Sequence, residues 1–299
     1  MRFKWTYQGP RVSLQTFLRR QGFSLAQLKQ LKFHGGFVFV NKRQRNTAFT
    51  LRPGDVVFLQ TAPEVAADAV VPYTAPLAIV YEDEYLLVVD KPAGVPSIPD
   101  VGKSPDTMAN RVKAYLLKTH AESVAIHVVT RLDRDTSGLM LFAKSGLIHS
   151  LLDAQLHTDD LQKEYLALVA GAGKLPQHGW LVLRIGQGQE FYMKRAVTPA
   201  GKRSVTEFET LAQNGRASLV RVQLHTGRTH QIRVHFAAIG HPLFGDTLYG
   251  GPAAGLNRQA LHCAHLHFWH PILKRPLELT APLPNDMLSL ENELGLALN

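Results

Sequence analysis

The chain is poor in sulfur: its 299 residues include one cysteine, Cys263. A lone thiol closes no internal disulfide, so a reducing, cytoplasmic setting is expected and the fold must rest on its core. Long apolar runs are missing as well. The stretch at residues 165–171 falls far short of the roughly 18 apolar residues a membrane helix needs. Residues 1–10 lack the apolar core of a secretory leader, and no membrane association is expected. There is no Gly-x-x-x-x-Gly-Lys phosphate loop, no dinucleotide fingerprint and no His-Glu-x-x-His, so no cofactor is expected. Disorder is excluded by composition, with 45% hydrophobic and 19% charged residues.

Acid is the most unevenly distributed component. Residues 1–60 contain a single carboxylate, Asp55, against eleven bases. That segment carries +10 of a total of +9, and residues 61–299 net to −1. Basic charge concentrated in one fifth of a chain argues for a polyanion-binding module attached to a near-neutral body. The other reading is a solvated face or a membrane-surface patch.

Val12, Leu14, Phe17 and Leu18 precede Gly22, and Leu25, Leu28 and Leu31 follow at three-residue spacing, which predicts two short helices over 12–32. Ser24 is placed to cap the second. Phe37-Val-Phe-Val and Asp55-Val-Val-Phe-Leu read as strands around a polar turn. Prolines 63, 72 and 76 without periodicity mark a linker. Beyond it, runs such as residues 86–89, 139–143, 165–169 and 218–224 predict strands with fewer helices between them, and 286–299 a short helical tail. This is an α+β body on a mixed, largely antiparallel sheet.

Two segments carry candidate chemistry. Thr130-Arg-Leu-Asp-Arg-Asp-Thr-Ser-Gly sets Asp133 and Asp135 between Arg131 and Arg134 ahead of an apolar strand. Such a loop suits catalysis, although its composition equally suits a surface turn. Thr226-Gly-Arg-Thr-His-Gln-Ile-Arg-Val-His-Phe places Arg228, His230, Arg233 and His235 on or before a helix whose apolar residues are Ile232, Phe236 and Ile239. A guanidinium fixed on a helix can hold a carboxylate ionised and oriented. The histidines of residues 262–270 lack zinc-ligand spacing and read as a core strand, so no metal is expected.

Together these segments resemble the RluA-type family of RNA pseudouridine synthases across nearly all of residues 77–285. The resemblance rests on Leu87-Val-Val-Asp-Lys-Pro-Ala-Gly, Arg131-Leu-Asp-Arg-Asp-Thr-Ser-Gly-Leu, Lys163-Glu-Tyr-Leu-Ala-Leu-Val-Ala-Gly and Gly227-Arg-Thr-His-Gln-Ile-Arg-Val-His, followed by Arg258-Gln-Ala-Leu-His and His270-Pro. It implies an isomerase with the pseudouridine synthase fold, the catalytic carboxylate at Asp133, the active-site tyrosine at Tyr165 and the arginine partner at Arg233. Residues 12–60 resemble the alpha-L RNA-binding fold. The implied organisation is an alpha-L-like domain at 1–61, a linker at 62–76, the catalytic domain at 77–285 and a tail at 286–299. RNA is the implied partner, ribosomal rather than transfer RNA, bound by a monomer. Arg131, Arg134, Arg228, Arg19, Arg20, Lys29, Lys32, Lys42, Arg43 and Arg45 are the expected RNA contacts. Arg131 and Arg134 have a competing use in neutralising Asp133 and Asp135. One departure stands out: the family's usual histidine before Arg-Leu-Asp is Thr130 here. A catalytically impaired RNA-binding protein on the same fold is the alternative reading.

Overall fold

The structure is a computed structural model. It describes all residues except 34, 63, 65–69, 101–103, 159, 172, 189–193 and 297–299, and the side chains of residues 30, 32 and 33. Among the described residues no helix is long and apolar enough to cross a membrane. Residues 63 and 65–69 of the expected linker, and the Lys32 side chain, lie outside the described set.

The chain begins with β1 (Arg2–Thr6), β2 (Val12–Ser13), α1 (Leu14–Arg20), α2 (Leu25–Phe33), β3 (Phe37–Val40), β4 (Arg43–Gln44), β5 (Thr50–Leu51) and β6 (Val56–Gln60). Ser13 Oγ accepts the Thr16 N–H to start α1. At α2, Ser24 Oγ accepts from Gln27 N while Gln27 Oε1 accepts from Ser24 N, a reciprocal capping box. The four-stranded sheet runs β1-β6-β3-β4. The β3–β4 hairpin turns through Asn41 and Lys42 at φ 50° and 66°, the left-handed pair a tight hairpin needs. One face of this sheet packs on the helices through Phe3, Val38, Val40, Val57 and Leu59.

The body follows with β7 (Ala78–Glu82), β8 (Leu86–Lys91), α3 (Met108–Lys118), β9 (His127–Val128), β10 (Ser137–Ala143), α4 (Gly146–Leu156), β11 (Gln162–Ala170), β12 (His178–Gln187), β13 (Arg195–Val197), β14 (Lys202–Gln213), β15 (Ala217–Leu224), α5 (Gln231–Ala238), β16 (Leu261–Trp269), β17 (Pro276–Thr280) and α6 (Asn285–Glu293). Its sheet runs β13-β12-β14-β15-β11-β16-β10-β8-β7. All its named pairings are antiparallel except β10 with β16, which agrees with the mixed, largely antiparallel expectation. At the parallel contact Gly138 has φ +111°, and a Cβ there would lie 2.3 Å from the Cys263 carbonyl oxygen. That explains the glycine of Thr-Ser-Gly.

β10 is buried along its whole length. Leu139 and Leu141 feed one core, while Met140 and Phe142 feed a second with Val112 and Leu116 of α3. The expected tail is no appendage: Met287 and Leu290 of α6 are buried against Leu168 and Phe244. The amino-terminal sheet shares the main core with the body. Phe3 stacks on Tyr85 with ring centroids 5.9 Å apart, and Glu64 accepts from Gly146 N at the start of α4 while pairing with His127 Nε2 at 2.5 Å.

Candidate active site

Asp133 sits in the loop between β9 and β10, and the backbone on each side of it is clamped. Ser97 Oγ donates to Leu132 O at 2.6 Å and accepts from Leu132 N at 3.0 Å. The fully buried Lys91 donates from Nζ to Arg134 O, Val95 O and Pro92 O. Burial pushes its ammonium down to about 7, while the charges of Asp135 and Asp133 pull the other way. Three carbonyl acceptors engage three protons, so the geometry favours the charged form. Thr136 N closes the turn onto Asp133 O at 3.1 Å. Arg258 reaches the Asp135 carbonyl at 3.4 Å and is itself held by Asp286 of α6 at 2.7 and 2.8 Å.

Arg233 rises from α5 and is 7% exposed. Its strongest partner is Asp246, bonded at Nε and Nη2 at 2.6 and 2.8 Å. Its remaining nitrogen, Nη1, lies 3.4 Å from Asp133 Oδ2. The guanidinium also lies 4.9 Å from the centroid of the Tyr249 ring. Burial by itself would lower the Arg233 pKa, but Asp246 and Asp133 outweigh it and the net shift is upward. The expected Arg233–Asp133 contact is therefore present, as the outer arm of a buried Asp246–Arg233 fork.

His230 adds a second nitrogen, with Nε2 3.9 Å from Asp133 Oδ2 and Nδ1 2.9 Å from the Tyr249 hydroxyl. It precedes α5 in the left-handed conformation, φ 58°, rare for a residue with a side chain and concentrated at functional sites. Burial lowers its pKa, with Asp133 opposing, so the imidazole is neutral near pH 7.

Tyr165 projects from β11 and is 4% exposed. Burial, then the neighbouring Cys263 and Asp133, raise its pKa well above the usual phenol value. It is a neutral phenol at physiological pH. Burial likewise pushes the Cys263 thiol up to about 12, which leaves it without thiolate reactivity.

Asp133, Tyr165 and Arg233 all border one open cleft of about 1000 Å³. Arg131 and Arg228 are exposed on its rim. Arg134 also lines the cleft and is exposed, and its guanidinium grips Asp135 through two bonds of 3.0 Å. Thr130, in the usual histidine's place, is 2% exposed, and its hydroxyl accepts the Leu141 N–H at 2.9 Å. His127 does not substitute for that histidine, because it pairs with Glu64. Arg19, Arg20, Lys29, Lys42, Arg43 and Arg45 are exposed on the amino-terminal module and do not line this cleft, and Arg45 lies 4.6 Å over the Phe49 ring. No group of three or more metal-ligating side chains occurs among the described residues.

Sequence reasoning did not find Asp246, Tyr249, Ser97 or Lys91. Lys91 carried a signal, since it lies inside the Asp-Lys-Pro-Ala-Gly motif. Asp246 and Ser97 are single polar residues whose partners lie 13 and 35 positions away.

Residues 85–238 match the family model described as RNA pseudouridylate synthase. The chain belongs to the RluA-type RNA pseudouridine synthases. This synthase is 37% identical over 279 residues to the uncharacterized RNA pseudouridine synthase YjbO of Bacillus subtilis strain 168, covering 93% of the chain and 98% of that protein. It is 41% identical to YhcT of the same organism over 80% of the chain and 79% of that protein. Ribosomal large subunit pseudouridine synthase D of Pseudomonas aeruginosa is 38% identical, covering 80% of each. Among solved structures, human RNA pseudouridylate synthase domain containing 4 has the same fold, with TM-score 0.60 at 21% identity over 74% of this chain and 94% of that one. The synthase is thus an isomerase acting on RNA.

Proposed function

We propose that this synthase isomerises specific uridines in structured RNA, ribosomal RNA foremost, with Asp133 as the carboxylate that acts at the sugar. The observation that carries the proposal is the convergence of Arg233 Nη1 and His230 Nε2 on one oxygen of Asp133, at 3.4 and 3.9 Å, in the cleft that Tyr165 also lines. The reaction breaks the N1–C1′ bond, turns the uracil and forms C5–C1′; C5 gives up a proton and N1 gains one, with no net oxidation. An ionised carboxylate serves both attack at C1′ and proton abstraction from the sugar. Arg233 stabilises that ionised form, and the buried Asp246 holds Arg233 to its aim. Tyr165 packs against the flipped uracil as a neutral phenol and takes part in proton transfer through its hydroxyl.

A uridine reaches this cleft only by leaving its stack, which costs on the order of a few kcal/mol and least in loops. Arg131 and Arg228 on the rim offer charge to the phosphates on either side. Ribosomal RNA is favoured because relatives at 36–38% identity bear the name ribosomal large subunit pseudouridine synthase D. The impaired-protein alternative leaned on Thr130, whose hydroxyl is engaged by the β10 backbone and so has a structural use. Pseudouridine mapping in total RNA from cells with and without the gene tests the proposal. Loss of one or a few ribosomal sites, restored by the parent and not by Asp133→Asn, is expected. Unchanged ribosomal sites would overturn the ribosomal assignment.

A further inference from the structure

The amino-terminal sheet has a second face, opposite the one buried on α1 and α2. Strand alternation puts Arg2, Lys4 and Thr6 of β1, Val56, Phe58 and Gln60 of β6, Phe37 and Phe39 of β3 and Gln44 of β4 on it. The register aligns them in rungs: Lys4, Phe58, Phe39 and Gln44 form one, and Arg2, Gln60 and Phe37 the next. Phe37 is 45% exposed, and Phe39 and Phe58 are half-buried. The Phe37 and Phe39 centroids are 6.5 Å apart and those of Phe39 and Phe58 6.4 Å apart, so three rings adjoin across two strands.

Exposed phenylalanines are costly on a solvated sheet, where alternation ordinarily puts polar residues. The neighbours say what covers them. Neither rung holds a carboxylate, and Lys4 has no ion pair among the described residues. Arg2 lies 3.8 Å from Glu122 and remains 60% exposed. Rings flanked by cations on a pleated surface are the chemistry that binds unpaired bases: each base stacks on a ring while the charge tracks its phosphate. A duplex hides its base faces and has no use for the rings.

We propose that the Phe37–Phe39–Phe58 face, with Lys4 beside it, is a stacking platform for two or three unpaired nucleotides of single-stranded RNA. It is distinct from the basic helix and turn residues Arg19, Arg20, Lys29 and Lys42. The proposal deepens the reading of the chain as an RNA-binding synthase, and it supplies a sequence-tolerant hold on RNA by residues that do not line the cleft.

Fluorescence anisotropy with the full chain tests it, using a labelled oligocytidylate as the single strand and a uridine-free RNA duplex as the control. Neither probe contains uridine, so the result is independent of isomerisation, and a failure of the synthase reading would leave it standing. Phe39→Leu and Phe58→Leu keep apolar bulk and remove the ring. Each should weaken single-strand binding by about tenfold while leaving duplex binding unchanged. Phe58→Tyr keeps the ring and should bind like the parent. Phe37→Ala, at the most exposed ring, gives the same reading if either leucine variant melts before binding can be measured. The proposal is overturned if the leucine variants bind oligocytidylate as tightly as the parent, or if both probes lose equally. Phe58→Tyr binding as weakly as Phe58→Leu would also overturn it. So would sedimentation showing a parent dimer that the leucine variants dissolve, since the face would then join two copies of this chain.

Discussion

Around the cleft, Arg233 commits all three guanidinium nitrogens to Asp246 and Asp133, and Lys91 commits its ammonium to three carbonyls. In the amino-terminal module, Arg19, Arg20, Lys29 and Lys42 stand exposed, and the segment has one carboxylate in sixty residues. The same residue types do different work in the two places. Buried charge interacts strongly at short range and is useful only when every partner is in place. Exposed charge is weak pair by pair, is screened by salt, and acts through its sum on a polyanion. One region therefore arranges charge by geometry, and the other accumulates it by number.

The largest expected effect comes from Asp133→Asn, which preserves size and removes charge. Pseudouridine formation should fall on the order of a thousandfold or more, with RNA affinity nearly intact. Quantifying pseudouridine beside a binding isotherm checks this, and substantial residual turnover by the purified variant would break the assignment. Arg233→Ala comes next. It strands Asp246, a carboxylate 2% exposed, and should cost about 3–5 kcal/mol of stability along with activity. Asp246→Asn should lower turnover by a smaller factor, because the fork loses its charge but keeps an acceptor. Denaturant melts and rates on the same preparations separate the two effects.

Acid should act on the body through His235. Its ring is fully buried, neither nitrogen has a partner among the described residues, and burial pushes its pKa down to about 4. The unfolded chain binds this proton below about 6.5 and the native state only below about 4. Stability therefore rises with pH across that window and is level in this group above it. His235→Leu should remove about 2 kcal/mol of acid sensitivity, after allowance for relaxation and screening, and change little at pH 8. Melts at several pH values check it; parallel curves for parent and variant would exclude the histidine as the cause.

The smallest effect sharpens the other side of the comparison. Arg19→Gln, Arg20→Gln and Lys29→Gln combined should flatten the slope of log affinity against log salt by about two units, at roughly 0.7 per phosphate contact on single strands. Substitution is preferable to deleting residues 1–60. Phe3 stacks on Tyr85 and the module shares a core with the body, so deletion would bare apolar surface as well as remove charge. An unchanged slope would make the basic block a solvated face.

Much of this molecule was legible in its residues. Short apolar runs foretold β3, β8, β10 and β11, alternation foretold β15, and helical spacing foretold α1, α2 and α5, because burial leaves a local pattern whatever the partner is. The motifs brought Asp133, Tyr165 and Arg233 to notice, since reactive groups are local side chains in local order. Ser24 as a cap was legible for the same reason: its partner is three residues away. Partners across the fold were not. Asp246 is the main ligand of Arg233, Ser97 and Lys91 clamp the residues beside Asp133, and Asp286 reaches the same loop through Arg258. Each satisfies a buried polar group, and every such group needs some partner, but the backbone path decides which one arrives. The phenylalanine rungs are of the same kind. Phe39 and Phe58 are nineteen residues apart and meet only through strand register. By itself the sequence determined which residues are candidates for chemistry and which runs are apolar. The tertiary structure decided which charges are neutralised, which stay exposed and which rings stand together, because burial depends on what packs opposite, and a one-dimensional pattern does not contain that.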